Sequence, residues 1–142
     1  MMRNIYEIFD DFELAKNKKE RMAVIEKNLS QTLVDVLQLT YHPDYQWWVT
    51  EMPENYKIPT SNLPGLATTQ LSTEIRKLYL FRKGDGMGDK LNPKKRNELL
   101  IQFLESLEPR EAEVIIGIFS KDQGVKGLDY KFVKEAFPHL LP

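Results

Sequence analysis

The sequence predicts an all-α fold, a single domain of about six or seven helices over residues 1–142 with one long loop rich in aromatics and prolines. Three observations lead there. Apolar residues recur at helical rather than alternating spacing along most of the chain. Helix-start signals precede those runs, and glycine or proline follows several of them. No internal repeat, low-complexity tract or linker divides the chain.

The elements follow in order. Ile5, Ile8, Phe9 and Phe12 share one helical face, and Asn4 with Glu7 has capping-box spacing. Asn17 with Glu20 opens a second helix to about Asn28, with Met22, Ile25 and Leu29 facing inward. Ser30 caps a third, carrying Leu33, Val34, Val36, Leu37 and Tyr41, and Pro43 lies just past its end. From about His42 to Thr69, four prolines (Pro43, Pro53, Pro59, Pro64) rule out a continuous helix. Tyr45, Trp47, Trp48 and Tyr56 in the same stretch argue for a loop packed on the core, with a short extended piece at Trp47–Val49.

Helical spacing resumes at Leu71, with Ile75, Leu78, Tyr79 and Arg82 along one stripe, and stops at the glycine-rich run 83–88. Asn92-Pro93 opens a helix whose core face is Leu99, Leu100, Phe103, Leu104 and Leu107. Glu108-Pro109 opens another, carrying Ala112, Ile115, Ile116 and Phe119. After Gly124 and Gly127, Asp129 caps a last short helix that Pro138 stops.

Composition narrows the chemistry. There is no cysteine, which removes disulfides, thiolate nucleophiles and cysteine-ligated metals and suits a reducing cytoplasm. No window is apolar enough for a membrane span, and the N-terminal residues do not read as a signal peptide. His42 and His139 have no second ligand at metal spacing, and no serine sits in a nucleophile-elbow pattern. No cofactor motif is present. Lys83-Gly84-Asp85-Gly86 matches the lysine-x-aspartate-glycine signature of nucleotidyltransferases, but the helical residues around it do not supply the β-rich domain that this chemistry needs. It reads instead as a turn between helices, and the chain reads as a non-enzyme.

The net charge of −1 gives the chain as a whole no attraction to nucleic acid, so any such role must be local. Locally, Arg82, Lys83, Lys90, Lys94, Lys95 and Arg96 cluster. Lys94, Lys95 and Arg96 occupy the first turn of a helix, where cations oppose the helix dipole, and together the six form a candidate phosphate-binding patch. Trp47 and Trp48 are candidates for a stacking platform or a partner hot spot, with core packing as the competing reading. Ile5–Phe12 resembles the terminal peptides with which phage polymerases engage their sliding clamp, although its apolar residues also fit a buried helical stripe.

Two further stretches carry a family resemblance. The first is Ile25-Glu26-Lys27-Asn28, then Leu33 through Leu39-Thr40-Tyr41 and the aromatic cluster. The second is Gly124-Val125-Lys126-Gly127-Leu128 with Phe132-Val133-Lys134-Glu135-Ala136-Phe137-Pro138-His139-Leu140-Leu141-Pro142. Together they resemble the N-terminal helical DNA-binding domain of ATP-dependent DNA ligases from T-even-like bacteriophages. The chain is also similar, over Ile5–Phe12, Glu74–Phe81 and the C-terminus, to small proteins of tailed phages.

The resemblance implies a helical domain that grips duplex DNA by its backbone through helix N-termini and basic side chains. It adds Lys126, Lys131 and Lys134 to the candidate contacts, diluted by Asp122, Asp129 and Glu135. It stops where the ligase's adenylation domain would begin, and Lys83 lies inside the helical domain, so the implied protein is a non-catalytic phage accessory protein. The alternative is a protein-interaction module that has lost DNA binding. It would engage a phage replication protein (sliding clamp or polymerase) or a host factor through Ile8, Phe9 and Phe12 or through Trp47 and Trp48.

Overall fold

A computed structural model describes residues 4–49, 69–84 and 86–142. Expectations that fall on Pro53, Tyr56, Pro59, Pro64 and Asp85 lie outside the described residues. The described chain is all-helical. In order it holds α1 (Ile5–Leu14), α2 (Lys18–Lys27), α3 (Gln31–Tyr41), a single turn α4 (Leu71–Glu74) continued by a 3-10 helix over Ile75–Phe81, a 3-10 turn at Gly88–Lys90, α5 (Pro93–Glu105), α6 (Pro109–Ser120) and α7 (Tyr130–Ala136). Among the described residues, no helix is long and apolar enough to cross a membrane. Nor do those residues contain a group of three or more His, Asp or Glu side chains placed to hold a metal ion.

The start signals act as their chemistry requires. Asn17 accepts from the Glu20 amide, Ser30 from Leu33, Asn92 from Lys95 and Asp129 from Phe132, each satisfying one orphan donor of a first turn. At α1, Glu7 accepts from the Asn4 amide at 3.4 Å. Glu108 makes no cap bond with its side chain, which instead accepts the Tyr6 hydroxyl at 3.0 Å and ties α1 to the start of α6.

Helix α6 is the centre of the molecule. It packs against α3, α1 and α5, and seven of its residues, from Glu111 to Phe119, are buried around most of its circumference. Helix α1 also packs on α2, and α7 packs on α3. Phe12 meets Phe132 edge-on at 4.9 Å. A chain of aromatic rings then runs from the loop through the core to α5. It goes from Tyr45 to Trp47, to Phe119, to Phe81 and to Phe103, with successive centroids 5.4–6.3 Å apart. Such pairs add about 0.5–1.5 kcal/mol each beyond the area they bury.

Three expectations need correction. Leu29 is 59% exposed, because the helix ends at the Asn28 cap and its phase no longer carries the next residue inward. Tyr79 is 43% exposed and Arg82 is off the core stripe. The reason is the 3-10 winding, with three residues per turn, which stacks Ile75, Leu78 and Phe81 on the buried side in place of the 3.6-residue pattern.

The extended piece near Trp47 takes the form of one antiparallel bridge to Arg82. The Trp48 amide donates to Phe81 and the Lys83 amide to Gln46, both at 2.8 Å. Two amides thereby fix the aromatic loop to the end of the 3-10 helix.

Candidate nucleic-acid interface

The bridge sets the two tryptophans on opposite sides of the loop, as alternation in an extended segment requires. Trp47 points inward, is 3% exposed and packs on Phe119. Trp48 remains 42% exposed. Its indole N–H donates to Asp89 Oδ1 at 2.7 Å. Lys83 Nζ and the Arg96 guanidinium lie 5.0 and 4.9 Å from its ring centre.

Asp89 organises the glycine-rich run. Its carboxylate accepts the Gly84 amide at 3.0 Å and the Gly86 amide at 3.3 Å. Gly84 has a φ of +86°, a conformation that aims its amide into the turn and strains other residue types. The Gly84 amide, followed by the Trp48 indole, holds the Asp89 carboxyl below its ordinary value. The amides of this turn are therefore taken by the protein's own carboxylate and are not open to a phosphate. Gly88 packs directly on the 3-10 helix, where an added Cβ would lie 2.9 Å from the carbonyl oxygens of Leu80 and Arg82.

Arg96 differs from the other cations of the cluster. It is buried, and Nη2 donates to the carbonyls of Gly88 and Leu91, both at 2.9 Å. This corrects its assignment as a phosphate contact, since its donors hold the glycine-rich run against the first turn of α5. A signal for this was present in the sequence. Arg96 lies four, seven and eight residues before Leu100, Phe103 and Leu104, on the core face of α5. Arg82 is half-buried, with its guanidinium 4.3 Å from the Tyr45 ring centre. Lys83, Lys90, Lys94 and Lys95 are exposed. Lys90 closes the 3-10 turn, and Lys94 and Lys95 follow Pro93 in the first turn of α5. The Arg96 guanidinium and the Lys83 ammonium meet at the same indole, which sets the first turn of α5 beside the end of the 3-10 helix.

The C-terminal cations are arranged differently. Lys126 and Lys131 are exposed, but Lys134 is half-buried, and its ammonium donates to the carbonyls of Pro138 and Leu141 at 3.3 and 2.8 Å. Glu135 pairs with Lys18. Asp122 accepts the Gly124 amide and Asp129 caps α7. The N-terminal apolar candidates lie in the core, with Ile8 at 1%, Phe9 at 5% and Phe12 at 0% exposure, so they offer no free surface in the folded domain.

A family model described as a family of unknown function (DUF6433) matches residues 8–126. The chain belongs to this family. Among curated proteins no relative matches it. The DUF6433 match takes in the whole Trp48 corner and ends before α7, so Lys131 and Lys134 lie beyond it.

Two groups escaped sequence reasoning. Asp89 was hidden because its partners are backbone amides and an indole more than forty positions away in the chain. The signal it did leave is an aspartate closing a run of alternating glycines. Lys121 has a left-handed backbone (φ 64°) at the end of α6, and its ammonium donates to the carbonyls of Leu39 and His42 at 3.2 and 2.7 Å. It thereby satisfies the C-terminal end of α3 from another helix. Burial pushes this ammonium down to about 8. No local pattern marks it.

Proposed function

We propose that this DUF6433 protein is a non-catalytic accessory protein, of bacteriophage origin, that binds the phosphate backbone of duplex DNA through the corner formed by Lys83, Lys90, Lys94 and Lys95. One observation carries the reading. Lys83, Lys90, Lys94 and Lys95 are all exposed, Lys83 lies over the ring of the half-exposed Trp48, and the one described carboxylate between residues 82 and 96, the exposed Asp89, is bonded to two amides and that indole. Lys94 and Lys95 occupy a helix N-terminus, where local stability favours acids. A phosphate ligand gives a reason for cations there. The resemblance to the phage ligase DNA-binding domain supports the same reading, with Lys126 and Lys131 as secondary contacts. Arg96 holds the corner in shape and is no longer counted among the contacts.

The test is fluorescence anisotropy with a labelled duplex across a salt series. Four lysines neutralising phosphates give a slope of about −3.6 in log K against log salt, or a loss of about two orders of magnitude in affinity between roughly 50 and 200 mM. Absence of binding at micromolar protein and low salt would sink the proposal.

The second reading is a protein-interaction module engaging a replication protein or a host factor. Burial of Ile8, Phe9, Phe12 and Trp47 removes most of the surface it relied on. What favours it is the exposure of Leu14 at 79%, beside a groove between α1 and α2 whose floor includes Ala15, Ala23 and Val24. Leu14→Glu leaves DNA binding intact under the first reading and abolishes partner capture under the second.

A further inference from the structure

We infer that Trp48 is a stacking platform for an unpaired nucleobase, which makes the corner selective for DNA that carries a single-stranded extension beside the duplex. The inference rests on the DNA-binding reading and deepens it.

The indole is exposed yet held. Its N–H is bonded to Asp89 at 2.7 Å and its backbone amide to Phe81 at 2.8 Å, so a ligand that stacks on it does not have to order it first. The adjacent Trp47 is buried, so exposure is specific to one of two neighbouring tryptophans. Of the two cations on the ring, Arg96 is buried and tied to two carbonyls, whereas Lys83 is exposed and free to leave. An arriving nucleotide can displace Lys83 from the ring with its base and engage the released ammonium with its phosphate. Lys90, Lys94 and Lys95 then face the flanking backbone.

Those four lysines make the corner a poor seat for an apolar protein segment and a good one for a flat, polyanionic ligand. The base must be unpaired, because inside a duplex both faces of each base are covered by its neighbours. Stacking of this kind tolerates any base, since every base has a π face.

The experiment measures binding of the full chain to three labelled probes: a blunt duplex, the same duplex with a short single-stranded overhang, and the single strand alone. The wild-type protein should prefer the overhang to the blunt duplex by at least about fivefold. Trp48→Leu should bind overhang and blunt duplex with equal affinity, and Trp48→Phe should restore part of the preference. A Trp47→Phe protein, in which Trp48 is the one remaining indole, should lose emission on adding the overhang and not on adding the blunt duplex. This second readout holds even where Trp48→Leu fails to fold. Equal wild-type affinity for blunt and overhang probes overturns the stacking inference and leaves backbone binding standing. Absence of binding to any probe overturns both.

Discussion

The glycine-rich corner at residues 82–96 and the C-terminal segment at residues 121–136 are assembled from the same local devices. In each, an aspartate accepts glycine amides: Asp89 from Gly84 and Gly86, Asp122 from Gly124. In each, a polar cap then opens a helix, Asn92 for α5 and Asp129 for α7. The cations around them divide differently. At the C-terminal segment two turn back on the protein, Lys121 onto the end of α3 and Lys134 onto the carbonyls after α7, while Lys126 and Lys131 stay exposed. At the corner, one cation of the first turn of α5 goes inward and its neighbours stay in solvent. Local grammar therefore does not decide whether a basic cluster is structural or available to a ligand. Helical phase and the position of nearby carbonyls decide it.

The largest way to break this contrast is at Arg96. Arg96→Leu removes the guanidinium donor from the carbonyls of Gly88 and Leu91, of which Gly88 keeps the Leu91 amide, and it should cost about 1–3 kcal/mol in urea unfolding. Arg96→Lys should recover part of this, since one ammonium can donate to two carbonyls, as those of Lys121 and Lys134 do. Wild-type stability in Arg96→Leu would show that the cation is not structural. Gly88→Ala tests the same joint from the backbone side. Its Cβ would press on two carbonyl oxygens, for an expected loss of about 1–3 kcal/mol by thermal melting.

A smaller effect sharpens the functional half of the comparison. Reversing Lys94 and Lys95 to Glu should weaken duplex binding by about tenfold or more at low salt. The same change should leave the fold as stable or raise it by about 0.3–1 kcal/mol per residue, since acids suit a helix N-terminus. Reversal of Lys126 and Lys131 should weaken binding less. The reverse ranking in an anisotropy titration would move the interface to the C-terminal segment.

The smallest effect concerns pH. The Lys121 ammonium titrates at about 8 in the fold, against an ordinary value of 10.5. Between the two the unfolded chain holds more protons, so this group makes stability rise with pH across that window. Tyr41 acts in the opposite sense. Burial pushes its phenol up to about 12 from 10.0, so above pH 10 the folded state holds more protons and stability falls. Chemical unfolding at a series of pH values should show the rise flattened in Lys121→Met and the fall removed in Tyr41→Phe. Variant curves parallel to the wild type would contradict both assignments.

Much of the fold was legible because the start signals are local and chemical. Asn17, Ser30, Asn92 and Asp129 each do what a cap at that spacing does. The 3-10 helix was not legible, since Ile75 and Leu78 fit a period of three or of 3.6 and Phe81 alone separates them. At the site, the exposed lysines could be named from charge clustering. The inward turn of Arg96 required reading charge and helical phase together. The partnership of Asp89 with Trp48 joins residues 41 positions apart, and such contacts leave no periodic trace.

The single bridge at Trp47 and Arg82 has a consequence for how such a protein can vary. Two amide bonds close the neck of the loop at its base, and Thr69 is separately anchored to Ser106 by its amide and its hydroxyl at 3.0 Å each. The platform's position is thus set at the neck, independently of how much chain lies between the two anchors. The station of Trp48 beside α5 is fixed by described residues alone, so a change that spares Gln46, Phe81, Lys83 and Asp89 should leave it in place.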